Sequence, residues 1–234
     1  MMNRTSSIFG LILLIHCINS TSNLKNVSII LDEVLKSYDR FHRPTYGGEP
    51  DKVIVDIYVR SMNSINELNM EYSFDCFFRQ RWIDNRLVFN KTSAMNYTSL
   101  PVSFQMFSKI WKPDTYFYNG RRSYIHSVPH VNRFIRISTD GAILYSQRLT
   151  IHASCIMNLR YLPLDTQRCM LSIGSFAYNR EETVYEWNSR NPVEIQRDLL
   201  MNQFSLINAR IGSEILVRDN RKYFSLILFR QNVT

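Results

Sequence analysis

Leu24, Val27, Leu31, Val34, Leu35 and Tyr38 recur at three- and four-residue steps, the spacing of one buried face of a helix. Ser22 or Asn23 could cap its start, because a short polar side chain accepts from the free amides of a first turn. The run Arg43-Pro-Thr-Tyr-Gly-Gly-Glu-Pro then breaks the pattern. From Lys52 onward the period falls to two, with β-branched and aromatic residues between short turns. That predicts an all-β domain, an immunoglobulin-like β-sandwich carrying a short N-terminal α-helix.

The segment Leu68–Trp82 shows the alternation most clearly. Leu68, Met70, Tyr72, Phe74, Cys76 and Phe78 fall on one side and predict a core face. Cys76, on that face, reads as an inert buried thiol. Asn69, Glu71, Ser73, Asp75, Arg79 and Arg81 fall on the other side, and Phe77 stands among them. An aromatic ring beside Arg79 is either an ordinary exposed Phe or part of a binding cleft. A second pair of strands, between Asn132 and Ile151, turns at Thr139-Asp140-Gly141. A three-residue connection over 140–142 would put Arg136, Ser146 and Arg148 on one face. A two-residue turn would set Arg136 opposite Tyr145, and both registers stay open.

Composition narrows the setting. Arg4 precedes an apolar stretch from Ile8 to Ile18, and Ser20, Thr21 and Ser22 follow, so residues 1–22 read as a signal peptide. The stretch is too short to span a bilayer, and no later run approaches 18 apolar residues. Residues 23–234 remain as one extracellular domain. The formal charge is +8, or +7 once Arg4 leaves with the signal. Its basic residues are dispersed, which argues for a basic surface and against nucleic-acid binding. Asn26, Asn90 and Asn96 head glycosylation sequons, and Asn232 heads another close to the end of the sequence.

Cys155 and Cys169 enclose Ile-Met-Asn-Leu-Arg-Tyr-Leu-Pro-Leu-Asp-Thr-Gln-Arg. In an oxidising compartment cysteines pair. A bond here would close a loop of about 15 residues and contribute about 3 kcal/mol in the chain-entropy picture. The other reading is two unrelated buried thiols. No Gly-x-Ser-x-Gly, His-Glu-x-x-His, phosphate-cradling glycine loop or paired Cys-x-x-Cys occurs, which argues against an enzyme and against a cofactor. His126 and His130 have metal-like spacing, but Pro129 argues against a helix there, so they read as loop histidines and no metal site is assigned.

The cysteine spacing, with Met157, Leu159, Tyr161, Pro163, Asp165 and Gln167 inside it, resembles the signature of the Cys-loop receptors, the pentameric neurotransmitter-gated channels. Ile156 and Leu162 depart from it, standing where a proline and an aromatic are usual. Trp111-Lys-Pro-Asp-Thr is similar to a further family segment. Phe77-Phe-Arg-Gln-x-Trp, Gly174-Ser-Phe-Ala-Tyr and Val184-Tyr-Glu-Trp resemble the GABA type A branch, and Asn119-Gly-Arg-Arg-Ser its α-type subunits. The absence of a second cysteine pair sets the chain apart from glycine- and glutamate-gated relatives.

The resemblance implies a ligand held between neighbouring subunits of a hetero-pentamer that gates a chloride pore. It places Phe77, Arg79, Arg136, Ser146 and Arg148 on a complementary face, and Tyr116, Ser175, Phe176 and Tyr223 on a principal face. A GABA-like amino acid would lay its carboxylate on an arginine fork, Arg79 first, and its ammonium on aromatics. Gly174 stands where a GABA-binding principal face carries a glutamate, and Tyr118 where benzodiazepine-sensitive subunits carry a histidine. Such subunits meet the membrane through four helices that this sequence lacks. The preferred reading is a fragment of a subunit at the extracellular face of the plasma membrane. A splice form and a secreted, pore-free ligand-binding or assembly-modulating protein are the alternatives, and an adhesion sandwich ranks behind them.

Overall fold

The computed structural model describes residues 29–89, 97–161, 166–199, 205–218 and 221–233, the last of these by backbone alone. A helix α1 spans 29–36 and buries Leu31 and Leu35, two members of the helical stripe. The proposed leader, the cap at Ser22 or Asn23, the sequons at Asn26, Asn90 and Asn96, and Leu162 lie outside the described residues.

Twelve strands follow: β1 (Asp51–Asn66), β2 (Glu71–Ile83), β3 (Ser99–Pro101), β4 (Thr115–Phe117), β5 (Tyr124–Ile125), β6 (Arg133–Ser138), β7 (Ala142–Ser154), β8 (Thr166–Ser175), β9 (Thr183–Trp187), β10 (Val193–Ile195), β11 (Ser205–Arg218) and β12 (Arg221–Val233). One sheet runs β10-β1-β2-β7-β6-β3, with β9 also on β1 and β5 also on β7; the other runs β11-β12-β8-β4. Residues 51–55 of β1 pair in parallel with β9, and residues 57–59 pair in parallel with β10.

The two sheets enclose the core. Val53, Val55, Ile57 and Val59 of β1, Tyr72, Phe74, Cys76 and Phe78 of β2, and Leu149, Ile151 and Ala153 of β7 meet Leu171 and Ile173 of β8. The alternation read from the sequence is thus the physical inside of the sandwich. Burial pushes the Cys76 thiol far above its ordinary range, so it stays protonated. A second cluster gathers Trp82, Trp111, Ile135, Ile137 and Ile143 under α1. Arg43 is buried, donating to Thr45, the Glu49 carbonyl and Asp51, and so organises the break between α1 and β1.

Two expectations change. Leu68 is no core residue: β2 begins at Glu71, and Leu68 lies in the preceding turn with its side chain 95% exposed. That turn is closed by Met70, whose backbone takes a φ of 51°. The β6–β7 connection is three residues long but spans 139–141, so Arg136 faces Leu144, matching neither expected register. Gly141 sets the offset with a φ of +78°, and a Cβ there would lie 2.5 Å from the Asp84 carbonyl oxygen.

Cys155, just beyond β7, is bonded to Cys169 in β8, with Cα atoms 5.1 Å apart. The disulfide joins the two sheets. Gln167 braces the loop it closes, donating to the Asn158 carbonyl and accepting from the Asn158 amide. Among the described residues no helix is long and apolar enough to cross a membrane.

Candidate functional site: two faces of the sandwich

The outward face of the larger sheet collects the first group of expected residues. Register puts Phe77 opposite Arg148, and Arg79 opposite Ser146. Phe134 is opposite Ser146 from the other side, and Arg136 is opposite Leu144. Directly paired residues project to the same side of a sheet, so Phe77, Arg79, Arg136, Ser146 and Arg148 share one face. Arg136, Ser146 and Arg148 thus share one face, as a three-residue connection predicts, although the turn is offset by one residue.

The arginines are not equivalent. Arg79 Nε lies 3.2 Å from Asp56 Oδ1, and its Nη2 reaches Glu194 more loosely at 3.8 Å. Arg148 lies 3.6 Å from Asp75, which also receives the Thr150 hydroxyl and the Asn63 amide, the latter at 3.1 Å. The Arg148 Nε–H is buried with no acceptor among the described residues. Arg136 is exposed, has no ionic partner among the described residues, and rests 6.0 Å from the Phe134 ring. His126 joins this network through a 2.8 Å hydrogen bond to Thr150, an alternative to the metal-like reading of its spacing.

Sequence reasoning passed over three residues here. Arg60 carries its guanidinium 5.6 Å from the Phe77 ring. Phe134 is half exposed beside Ser146. Asp56 is buried although it faces outward. The alternation of Val53, Val55, Ile57 and Val59 puts Asp56, Tyr58 and Arg60 outside, and that of Ile135 and Ile137 puts Phe134 outside. The signal for these outward positions is therefore present in the alternation of β1 and β6.

The second group lies on β4, β8 and β12. Tyr116 pairs with Gly174, and Gly174 with Ser225 of β12, two residues beyond Tyr223. The Tyr116 ring meets Phe176 edge-on at 5.4 Å and Tyr118 at 5.5 Å. Tyr116 is turned outward because its neighbours are anchored inward. Thr115 bonds Gln80 and the Tyr185 hydroxyl, and Phe117 packs on Phe78 at 5.4 Å. Phe176 is 70% exposed. Ser175 is buried, its hydroxyl donating to Asp114 at 2.5 Å and accepting from the Tyr178 amide at 2.8 Å. It shapes the loop that presents Phe176, helped by the Tyr118 hydroxyl on its carbonyl. Asp114 uses its other oxygen on the Ala177 amide. The backbone of Tyr223 lies in β12; its side chain is outside the described residues.

Gly174 directly faces Tyr116 and lies two residues from Phe176, so a side chain at 174 would project among these rings. Tyr116, Tyr118 and Phe176 thus form an aromatic surface with no free carboxylate among the described residues, whereas the other face is rich in guanidinium groups.

Residues 27–227 match the family described as the neurotransmitter-gated ion-channel ligand binding domain. The chain is 46% identical over 197 residues to the gamma-aminobutyric acid receptor alpha-like protein of Drosophila melanogaster, covering 84% of this chain and 28% of that protein. It is 39% identical over 208 residues to gamma-aminobutyric acid receptor subunit alpha-3 of Homo sapiens, 88% of this chain and 42% of that subunit. Subunit beta-4 of Gallus gallus is 37% identical over 210 residues, 89% of this chain and 42% of the subunit. The chain therefore spans less than half the length of these relatives.

Proposed function

The chain belongs to the neurotransmitter-gated ion-channel ligand binding domain family, and from that premise we propose that it serves a GABA type A-like receptor subunit. It binds a GABA-like amino acid at subunit interfaces of a hetero-pentamer and so gates a chloride channel. Residues 23–234 form the extracellular domain once the leader is removed, and the membrane is met through another part of the subunit.

The observation that carries this reading is the single outward face holding Phe77, Arg79, Arg136, Ser146 and Arg148. A carboxylate wants planar, two-point donors, and guanidinium groups supply them. Arg79 is the anchor: Asp56 holds its Nε side, and among the described residues only the half-exposed Glu194, at 3.8 Å, competes for its Nη2. Arg136, exposed and without an acidic partner among the described residues, adds a donor that a ligand or neighbour can reach. Phe77 supplies the aromatic edge of the site. On the facing subunit, the positions of Tyr116, Ser175, Phe176 and Tyr223 supply the principal side, with rings for the ammonium.

The test is to express the full-length subunit with a β-type partner and record currents against GABA concentration. Arg79→Lys loses the fork while keeping the charge. It should weaken potency about tenfold, the equivalent of about 1.4 kcal/mol. Unchanged potency at normal surface expression would refute the role.

A further inference from the structure

Asp56 lies on the solvent side of β1, yet its side chain is only 4% exposed. Two guanidinium groups cover it. Arg79 takes Oδ1, and Arg81, two residues further along β2, donates to Oδ2. The Asn188 amide adds a third donor at 3.3 Å. Arg81 is directly opposite Ile54 and Leu144, one step beyond the Arg79–Ser146 row and away from Phe77.

We propose that Arg81 is a positioning residue for ligand binding: by sharing Asp56 it leaves Arg79 enough uncompensated charge to hold a ligand carboxylate. The inference rests on the role given to Arg79 above. An isolated Arg79–Asp56 pair would be neutral, and its buried acid would attract the guanidinium strongly in a medium of low dielectric constant. Two arginines on one aspartate leave a net charge of +1, which is balanced by the half-exposed Glu194 carboxylate beside Arg79. Arg81 donates to Oδ2 and draws on the Asp56 charge. The excess positive charge then falls on the outer edge of Arg79, where Glu194 sits loosely at 3.8 Å. A ligand carboxylate displaces Glu194 and completes the alternation Arg81, Asp56, Arg79, ligand. Arg81 itself does not touch the ligand.

Binding is measured as displacement of radiolabelled GABA from membranes carrying the full-length subunit with a β-type partner. Arg81→Gln should weaken binding about five- to tenfold, the size of coupling found between charges in one network. Arg81→Lys, which keeps a cation on Asp56, should stay within about twofold of the parent. Arg81→Met retains the packing of the stem and carries the same expectation as the glutamine variant, covering a failure of that variant to assemble. Unchanged binding in Arg81→Gln overturns the proposal. So does an equal loss in Arg81→Lys, because that would mark a packing role. Arg79→Lys, run alongside, separates the two ideas. If it weakens binding and Arg81→Gln does not, only the positioning role falls. If neither has an effect, the Arg79 site itself falls.

Discussion

At the scale of single residues, Gly141 shows how one backbone angle sets a whole face. Its φ of +78° is open to glycine, and the Asp84 carbonyl at 2.5 Å from a hypothetical Cβ closes the space as well. Asp84 cannot retreat readily. It is fully buried and receives Tyr38, the Arg86 amide and the Arg86 side chain. Burial and the neighbouring Asp84 carboxylate together push the Tyr38 hydroxyl far above its ordinary range, so it remains a donor in that cluster. Gly141→Ala should therefore cost about 1–3 kcal/mol, read as a lowered midpoint in a urea titration followed by fluorescence. An unchanged midpoint would mean that the turn relaxes without strain. The same residue accounts for the shift of the connection from 140–142 to 139–141, and hence for Arg136 facing Leu144.

At the scale of elements, the disulfide and β2 do most to define the domain. Cys155 follows β7 in one sheet and Cys169 lies in β8 of the other, so their bond ties the layers at one edge of the core. Tyr72 adds a second tie, its hydroxyl donating 2.8 Å to the Met170 carbonyl. Replacing Cys155 or Cys169 with Ser should cost about 2–5 kcal/mol, the usual range for a small secreted domain. Secreted yield and non-reducing peptide mapping check this: the parent should show the linked peptides, and each variant should reach the medium poorly. Strand β2 divides its labour by parity. Phe74, Cys76 and Phe78 fill the core, while Phe77, Arg79 and Arg81 serve the outer face. Gln80 points inward and takes the Thr115 hydroxyl, which orients β4 and so Tyr116.

At the scale of the whole molecule, the two faces are chemically unequal. One carries Arg60, Arg79, Arg81, Arg136 and Arg148. The other presents Tyr116, Tyr118 and Phe176 around Gly174, with Asp114 occupied by Ser175 and Ala177. A zwitterionic ligand needs both ends held. Between two copies of this chain its carboxylate would find arginines, but its ammonium would find, among the described residues, only rings. Charged hydrogen bonds contribute about 1.5–3 kcal/mol, so the missing carboxylate costs about tenfold to a hundredfold in affinity. The full-length subunit alone should therefore give no high-affinity GABA response, and co-expression with a β-type partner should restore it. Robust low-micromolar currents from the subunit alone would show that Gly174 is no defect.

The period-two alternation along β1, β2 and β7 determined the sandwich and its inner face, because a strand sends successive side chains to opposite sides whatever it pairs with. The stripe through Leu31 and Leu35 determined a helix in the same local way. The cysteine spacing and the motifs around Trp111 and Gly174 determined the family and the residues to examine. Tertiary structure alone decided how those residues are paired. Which acid holds Arg79, which holds Arg148, and that none of the described acids holds Arg136 depends on register between strands far apart in sequence. Asp56 reaches Arg79 and Arg81 because β1 lies antiparallel to β2 in one particular alignment. Ser175, which the resemblance places on the principal face, is buried, with its hydroxyl claimed by Asp114 and the Tyr178 amide. Leu68 continues an apolar alternation in the sequence but falls in a turn, because Met70 at positive φ ends the strand's reach. Periodicity is a property of the local chain; charge pairing and the ends of strands are properties of its neighbours in space.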